Sequence, residues 1–345
     1  MTRKRDWPLP FAKYSGAGND FIIVDGRTTV PQGDPSALAK GLCRRGRSVG
    51  ADGLILLERP DVDAPPSAEV RIRLWNADGS VAEISGNGAR CVARFLVDEG
   101  SSGDGLVLAT DVGPVQAWVE GESSRVRLPM TASVYPNRHM RVEGRNLTGT
   151  YVEVGVPFFV CFHDDPDDLP VRFLGRAVRN HADLAPRGAN VDFVRVINEQ
   201  QLYFRVYERG VEDETLSSGT GSLSAALAAA AAGKVESPVA CEARGAVLTV
   251  RFRPCPAAEP AADSPASPIE STAFPEPSAE TSPETTEIPA DAAAAEDPPP
   301  ADVADEASST PAIIGNDDPL EFVDREIEGD VHLVCRGEAD HEAVS

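Results

Sequence analysis

Two serines stand where this chain could do chemistry. Ser85 precedes Gly86-Asn87-Gly88, and Ser218 precedes Gly219-Thr220-Gly221. Each corner runs into helical apolar spacing, with Ala89, Val92, Ala93 and Leu96 in the first and Leu223, Ala226, Leu227 and Ala230 in the second. Such a corner leaves backbone N–H groups at the helix start without intrahelical partners, and together with the helix dipole they favour an anion. Two helix starts converging on one cleft would hold a carboxylate, while side chains from opposite halves would face opposite sides of the bound molecule. A two-base racemase needs that arrangement: one group removes an α-proton and the other returns one to the opposite face. Glu208 and Arg209, just ahead of the second corner, could bind an amino group and a carboxylate respectively. On the residues alone, capped helices with ordinary salt bridges explain the same pattern equally well.

The elements that would position these residues come in two sets. Residues 11–25 read as a Gly-rich turn running into a strand, 36–44 as a helix capped by Asp34 or Ser36 with Pro35 in its first turn, and 50–57 as a turn and apolar strand. Residues 70–75 alternate and lead into the first corner, and strands follow around 106–109, 115–119 and 126–128. A second half opens near Gly149. It has strands at 152–156 and 158–162, a helix at 169–180, strands at 190–196 and 202–207, the second corner, and a closing strand at 247–252. Strands dominate, with one substantial helix per half. That predicts an α+β protein of two similar domains, residues 9–148 and 149–253 plus 319–340, rather than an alternating parallel fold.

Residues 254–318 differ in kind. They carry 13 of the 29 prolines and 15 acidic residues with no Lys or Arg, and almost no large apolar side chains. Such a segment cannot bury enough surface to offset ordering, so a disordered acidic insertion is expected between two strands of the second domain. Strand patterning resumes at 331–334. The formal charge of −23, with no basic stripe, argues against nucleic-acid binding. The six cysteines are scattered without a C-x-x-C pair, and the five histidines lack metal-ligand spacing, so neither a disulfide framework nor a metal site is expected. With no apolar run behind Arg3, Lys4 and Arg5 and none long enough to span a bilayer, the expectation is a cytoplasmic protein without membrane association.

Other motif readings fail. The Gly-x-Gly corners lack the third glycine of a dinucleotide fingerprint, having Cys91 and Ser224 there, and neither serine lies in G-x-S-x-G. Seven longer motifs point one way. They are Gly16-Ala17-Gly18-Asn19-Asp20-Phe21, Gly50-Ala51-Asp52-Gly53, Asn76-Ala77-Asp78-Gly79-Ser80, Gly86-Asn87-Gly88-Ala89-Arg90-Cys91, Gly188-Ala189-Asn190-Val191, Glu208-Arg209-Gly210 and Gly219-Thr220-Gly221. Through them the chain resembles diaminopimelate epimerases, of the pyridoxal-independent amino-acid racemase family, over residues 11–253 and again over 319–340.

The resemblance implies two pseudo-symmetric α+β domains, each a mostly antiparallel sheet wrapped around a central helix. It implies a homodimer, no cofactor, and interconversion of LL- and meso-diaminopimelate for lysine and peptidoglycan precursors. It implies substrate contacts from Asn19, Asn76, Gly86, Asn87, Asn190, Glu208, Arg209, Gly219 and Thr220. The family's two catalytic groups are cysteines; here Ser85 and Ser218 occupy those acid/base positions. The family's Gly-Asn-Pro-His segment is Gly155-Val156-Pro157-Phe158, removing an amide and a histidine. An alcohol is a far weaker acid than a thiol and needs an adjacent base, for which Glu208 is available on one side. A one-base isomerase or dehydratase, or an amino-acid-binding protein, is the alternative that these substitutions raise.

Overall fold

The computed structural model describes residues 8–82, 84–255, 311–314 and 318–339. Its first half contains β1 (Leu9–Gly16), β2 (Asn19–Asp25), α1 (Pro35–Leu42), β3 (Gly53–Glu58), β4 (Val70–Asn76) and β5 (Val81–Ala82). There follow α2 (Gly86–Asp98), β6 (Leu106–Thr110), β7 (Gly113–Glu120), β8 (Ser123–Arg127) and β9 (Ala132–Val142). The second half begins with β10 (Arg145–Glu153), β11 (Pro157–Phe162), α3 (Val171–Arg179), β12 (Asn190–Asn198), β13 (Gln201–Glu208) and β14 (Asp213–Thr215). It ends with α4 (Gly219–Ala231), β15 (Val239–Glu242), β16 (Val247–Pro254) and β17 (Leu320–Ala339).

The strand pairings repeat as well. β1 is antiparallel to β2, β2 parallel to β3, and β3 antiparallel to β4. β4 then pairs with β5 and, in parallel, with β6, after which β7 and β8 follow antiparallel. From β10 to β17 every one of these steps recurs in the same order and sense. The α+β fold with pseudo-symmetric, mostly antiparallel halves is therefore as the sequence suggests. β17 knits the halves together by pairing with β1, β8, β9 and β16.

Strand alternation explains the layering. In β2, Phe21 and Ile23 face the core that holds α2, while Ile22 and Val24 face α1. Similarly, Phe158 and Val160 of β11 face the core, and Phe159 and Cys161 face the α3 side. Strands covered on both faces read as continuous apolar runs. α4 has no charged side chain and is apolar from Ala225 onward, with Leu223, Ala225, Ala226, Leu227, Ala228 and Ala229 buried, as suits a helix enclosed by sheet. α2 and α4 share one apolar cluster. α1 and α3 cover the outer faces. α1 starts at Asp34, whose carboxylate accepts Ser36 N–H at 3.0 Å, and Gly175 of α3 lets that helix close on Tyr207.

The chain differs from the sequence expectation in several places. β9, β14 and β15 are additional strands, β1 stands where a Gly-rich turn is expected, and β10 begins at Arg145 rather than at 152. β17 spans 20 residues rather than four, because its N-terminal part alternates charges that pair across the sheet, such as Glu326 with Arg125 and Arg127. The expected insertion, 254–318, lies mainly outside the described residues, but its two ends belong to the fold. Pro254 closes β16, and Ile313 and Ile314 are buried beside Leu184 and Tyr151. Arg138 donates to both isoleucine carbonyls and Ile313 N–H donates to Asp183 O at 3.1 Å. Two consecutive isoleucines are enough apolar surface to order a short end of an otherwise polar segment.

Candidate active site

Both corners fold as the local chemistry dictates. Ser85 and Ser218 are extended N-cap residues, and their Oγ atoms accept the N–H groups of Gly88 (3.0 Å) and Gly221 (3.1 Å). The third corner residue is glycine because the cap lies so close: a Cβ on Gly221 would stand 2.8 Å from Ser218 Cβ, and one on Gly88 3.2 Å from Ser85 Cβ. A capping hydroxyl uses a lone pair for the helix and keeps its own proton to donate. The two helix starts meet. A Cβ on Gly219 would be 3.1 Å from Asn87 Oδ1 and 3.5 Å from Asn87 N.

They meet at a cleft of about 860 Å³ lined from both halves. Asn19, Asn76, Ser85, Gly86, Asn87, Glu208, Arg209, Ser218, Gly219 and Thr220 all line it, so the structure gathers all but one of the residues singled out from sequence. Asn190 is the exception. It sits behind the wall, buried, where its Oδ1 accepts Arg209 N–H at 2.8 Å and its Nδ2 donates to Pro157 O at 3.1 Å. Its place here is to hold the Glu208-Arg209 turn.

A chain of amides orients the first corner. Arg90, fully buried in α2, donates to Asn87 Oδ1 at 2.7 Å; Asn87 Nδ2 donates to Asn19 Oδ1 at 3.4 Å; Asn19 Nδ2 donates to Asp52 Oδ2 at 2.8 Å. Burial lowers the Arg90 guanidinium to about 10, still a cation at neutral pH. Asp52 and Asp20 lock each other's backbones, each accepting the other's N–H at 3.0 Å, and Arg45 bridges their carboxylates. Although burial pushes Asp20 upward, hydrogen bonds from Arg45 and Lys13 hold it below the usual carboxylate range. Across the cleft, Ser217 Oγ donates to Ala17 O, tying the second corner to the β1–β2 turn.

Glu208 is the cleft's distinctive titratable group. It ends β13 and accepts Thr215 Oγ1–H at 2.6 Å. Burial of its carboxyl raises it to about 7, with the hydrogen bond from Thr215 pulling the other way and the charge of Asp52 adding to the rise. Behind it on β12, buried Asp192 is raised well above the carboxylate range by burial, against a hydrogen bond with Ser224 of α4. Cys91 is fully buried and its thiol is pushed up to about 12, so it offers no thiolate to the cleft.

The sequence motifs contain Asp20 and Asp52, and Ser217 adjoins the second corner, but none of the three has a role in the sequence reading; Thr215 does not figure in it. Thr215 reaches the site through the β13–β14 hairpin, which carries no short-range signal at position 215. Among the described residues, no group of three or more His, Cys, Asp or Glu could hold a metal ion, and no helix is long and apolar enough to cross a membrane.

This fold, a doubled sheet with a helix buried in each half, is shared with a hydroxyproline epimerase from Agrobacterium vitis solved with bound trans-4-hydroxy-L-proline. That match has a TM-score of 0.61 at 13% identity, covering 97% of this chain and 93% of that one. Sequence comparison is more specific. The diaminopimelate epimerase family pattern matches residues 11–135 and 150–254. The diaminopimelate epimerase of Aquifex aeolicus (strain VF5) is 36% identical over 254 residues, 71% of this chain and 90% of that protein. That of Hydrogenobaculum sp. (strain Y04AAS1) is 39% identical over 221 residues, 61% and 78% respectively. The chain belongs to the diaminopimelate epimerase family, and with it to the isomerases.

Proposed function

We propose that the protein moves the α-proton of diaminopimelate, interconverting the LL and meso forms without a cofactor, in the supply of lysine and peptidoglycan precursors. The observation carrying this reading is the meeting of two serine-capped helix starts in one cleft, each with its hydroxyl proton free to donate. The substrate α-carboxylate binds the N–H groups at Gly86–Asn87 and Gly219–Thr220. As the α-C–H bond breaks, negative charge moves onto that carboxylate, where the fixed N–H groups and helix dipoles are worth more than in the ground state. Ser85 and Ser218 address opposite faces of the α-carbon, and Glu208 and Arg209 receive the amino and carboxylate groups. Homodimer formation and a cytoplasmic location belong to the same reading; light scattering of the purified chain tests the first.

The test is α-proton exchange in deuterated water, with LL- and meso-diaminopimelate followed by NMR. Deuterium incorporation accompanied by interconversion supports the reading. Absence of both, at high protein concentration and with both isomers, overturns it.

A further inference from the structure

The two corner helices differ at the fifth residue after the capping serine. In α4 that residue is Leu223, part of the apolar core, and in α2 it is Arg90. A guanidinium carries five N–H donors and stays charged at neutral pH, so burying it is costly unless it is paired. Arg90 is 0% exposed, yet no carboxylate forms an ion pair with it among the described residues. Its Nη2 donates to Asn87 Oδ1 at 2.7 Å, while Nε and Nη1 are buried without a hydrogen-bond partner among those residues.

The fold makes room for this charge without neutralising it. A Cβ on Gly16, at the end of β1, would stand 3.5 Å from Arg90 Nη2, and one on Gly329 of β17 would stand 2.9 Å from Nη1. Glycine at both places leaves space for the guanidinium. Asp330, the next residue of β17, is exposed and acts on Arg90 only at a distance. Asp20 is bound by Lys13 and Arg45, and the adjoining Cys91 thiol, pushed up to about 12, is neutral. One hydrogen bond to an amide does not offset the desolvation of a cation, and replacing buried charge by an apolar side chain of similar size is often neutral or stabilising. Arg90 is therefore not explained by the stability of the fold.

The cleft supplies the missing counter-charge. Asn87, the one residue to which Arg90 donates a side-chain hydrogen bond, lines the cleft and belongs to the first turn of α2. An anion held by the N–H groups of Gly86 and Asn87 has that amide between itself and the guanidinium. We infer that Arg90 is a positioning residue whose buried, unpaired charge is reserved for the ligand: the substrate carboxylate at the first corner is its counter-ion, reached through Asn87. This rests on the carboxylate substrate proposed above and concerns what holds that carboxylate.

Two consequences follow. The charge of Arg90 attracts the bound carboxylate, and attracts it more strongly as the α-C–H bond breaks and the electron pair moves onto that group. It also acts in the absence of substrate on whatever side chain stands at position 85, which caps the same helix start. At the matching place behind Ser218, Leu223 supplies no charge.

The experiment begins without substrate. In the full chain carrying Ser85→Cys, the introduced thiol is titrated by its rate of alkylation with iodoacetamide, with peptide mass spectrometry separating it from the native cysteines. Arg90→Met or Arg90→Gln is then added; both remove the charge, and only the second keeps an N–H donor for Asn87. A neighbouring cation lowers the pKa of an acid by about one unit or more, so each variant should raise the thiol by about that much. With Ser85 in place, each variant should leave the urea midpoint of the free protein unchanged or higher. Each should also weaken diaminopimelate binding, measured by calorimetry, by about tenfold, the equivalent of one such unit, and lower kcat for α-proton exchange as well as raise KM. An unmoved thiol would overturn the inference. So would a glutamine variant that keeps the thiol pKa and affinity seen with arginine, because the bond to Asn87 would then account for Arg90. Failure of both variants to fold, or a lowered urea midpoint with the affinity of the folded protein intact, would make Arg90 a residue of the fold and overturn it too. Wild-type protein that binds no diaminopimelate overturns the substrate reading above, while the thiol titration and the urea midpoints, which need no substrate, still decide this one.

Discussion

Replacing Ser85 by cysteine should convert a slow inversion into a fast one, and the size of the gain can be worked out. A free thiol has a pKa of about 8.5, whereas an alcohol ionises about as reluctantly as water, roughly 15.7. The gap is about seven units. If basicity offsets half of it, with a Brønsted coefficient of roughly 0.5, the thiol gains about 3.5 decades. At 1.36 kcal/mol per decade that is ~5 kcal/mol of barrier. The α2 N-terminus lowers the thiol further and increases the thiolate fraction. The loss falls on stability: sulfur is a poorer acceptor for the Gly88 N–H now held at 3.0 Å, a cost of about 1 kcal/mol. Inversion of diaminopimelate by Ser85→Cys at pH 8, followed by NMR, should exceed wild type by about a thousandfold. A gain below tenfold in a folded variant would mean that the acidity of the group at position 85 does not limit the reaction.

Two further outcomes follow from the same site. Asn76→Glu places a carboxylate where Glu208 stands in the other half, and should raise the inversion rate measured by NMR by less than the thiol does; an unchanged rate would show that the two strand ends are not equivalent. Asp192→Asn should flatten the pH dependence of stability. The folded carboxyl stays protonated to well above 4 while the unfolded one ionises near 4, so wild-type stability falls as pH rises from about 4 toward the folded pKa. Urea midpoints from pH 4.5 to 8 should decline less in the variant, with the slope that remains up to about pH 7 coming from Glu208.

What the sequence made legible was local. A serine, two glycines and a following apolar period specify a capped helix start wherever they fall, so both corners could be read with no knowledge of the partner half. The continuous apolar runs of β2, β3 and β11 are equally local. β17 was read as four residues because Glu326 and Glu328 look like solvated charge until Arg125, Arg127 and Arg251 arrive across the sheet. β9 was missed because Pro136 and Asn137, the latter with φ of +57°, resemble a loop, although the strand continues through them. Asn190 is expected at the substrate from the resemblance, and the bond its amide makes to Arg209 N–H depends on a strand pairing that its motif does not show.

The same distinction bears on function. Ser85 and Ser218 are nearly alike in dihedral angles and in cap geometry. They differ in the residue that ends a strand nine or ten positions earlier, and in whether it can hold a proton. A pair of thiols makes that difference unimportant, since each carries its own base. With hydroxyls at both positions the neighbours matter more, and the two strand ends that line the cleft, Asn76 and Glu208, differ in whether they can hold a proton. Serines at both corners are therefore compatible with chemistry in this cleft, provided that the strands leading into the corners supply the groups that hold a proton.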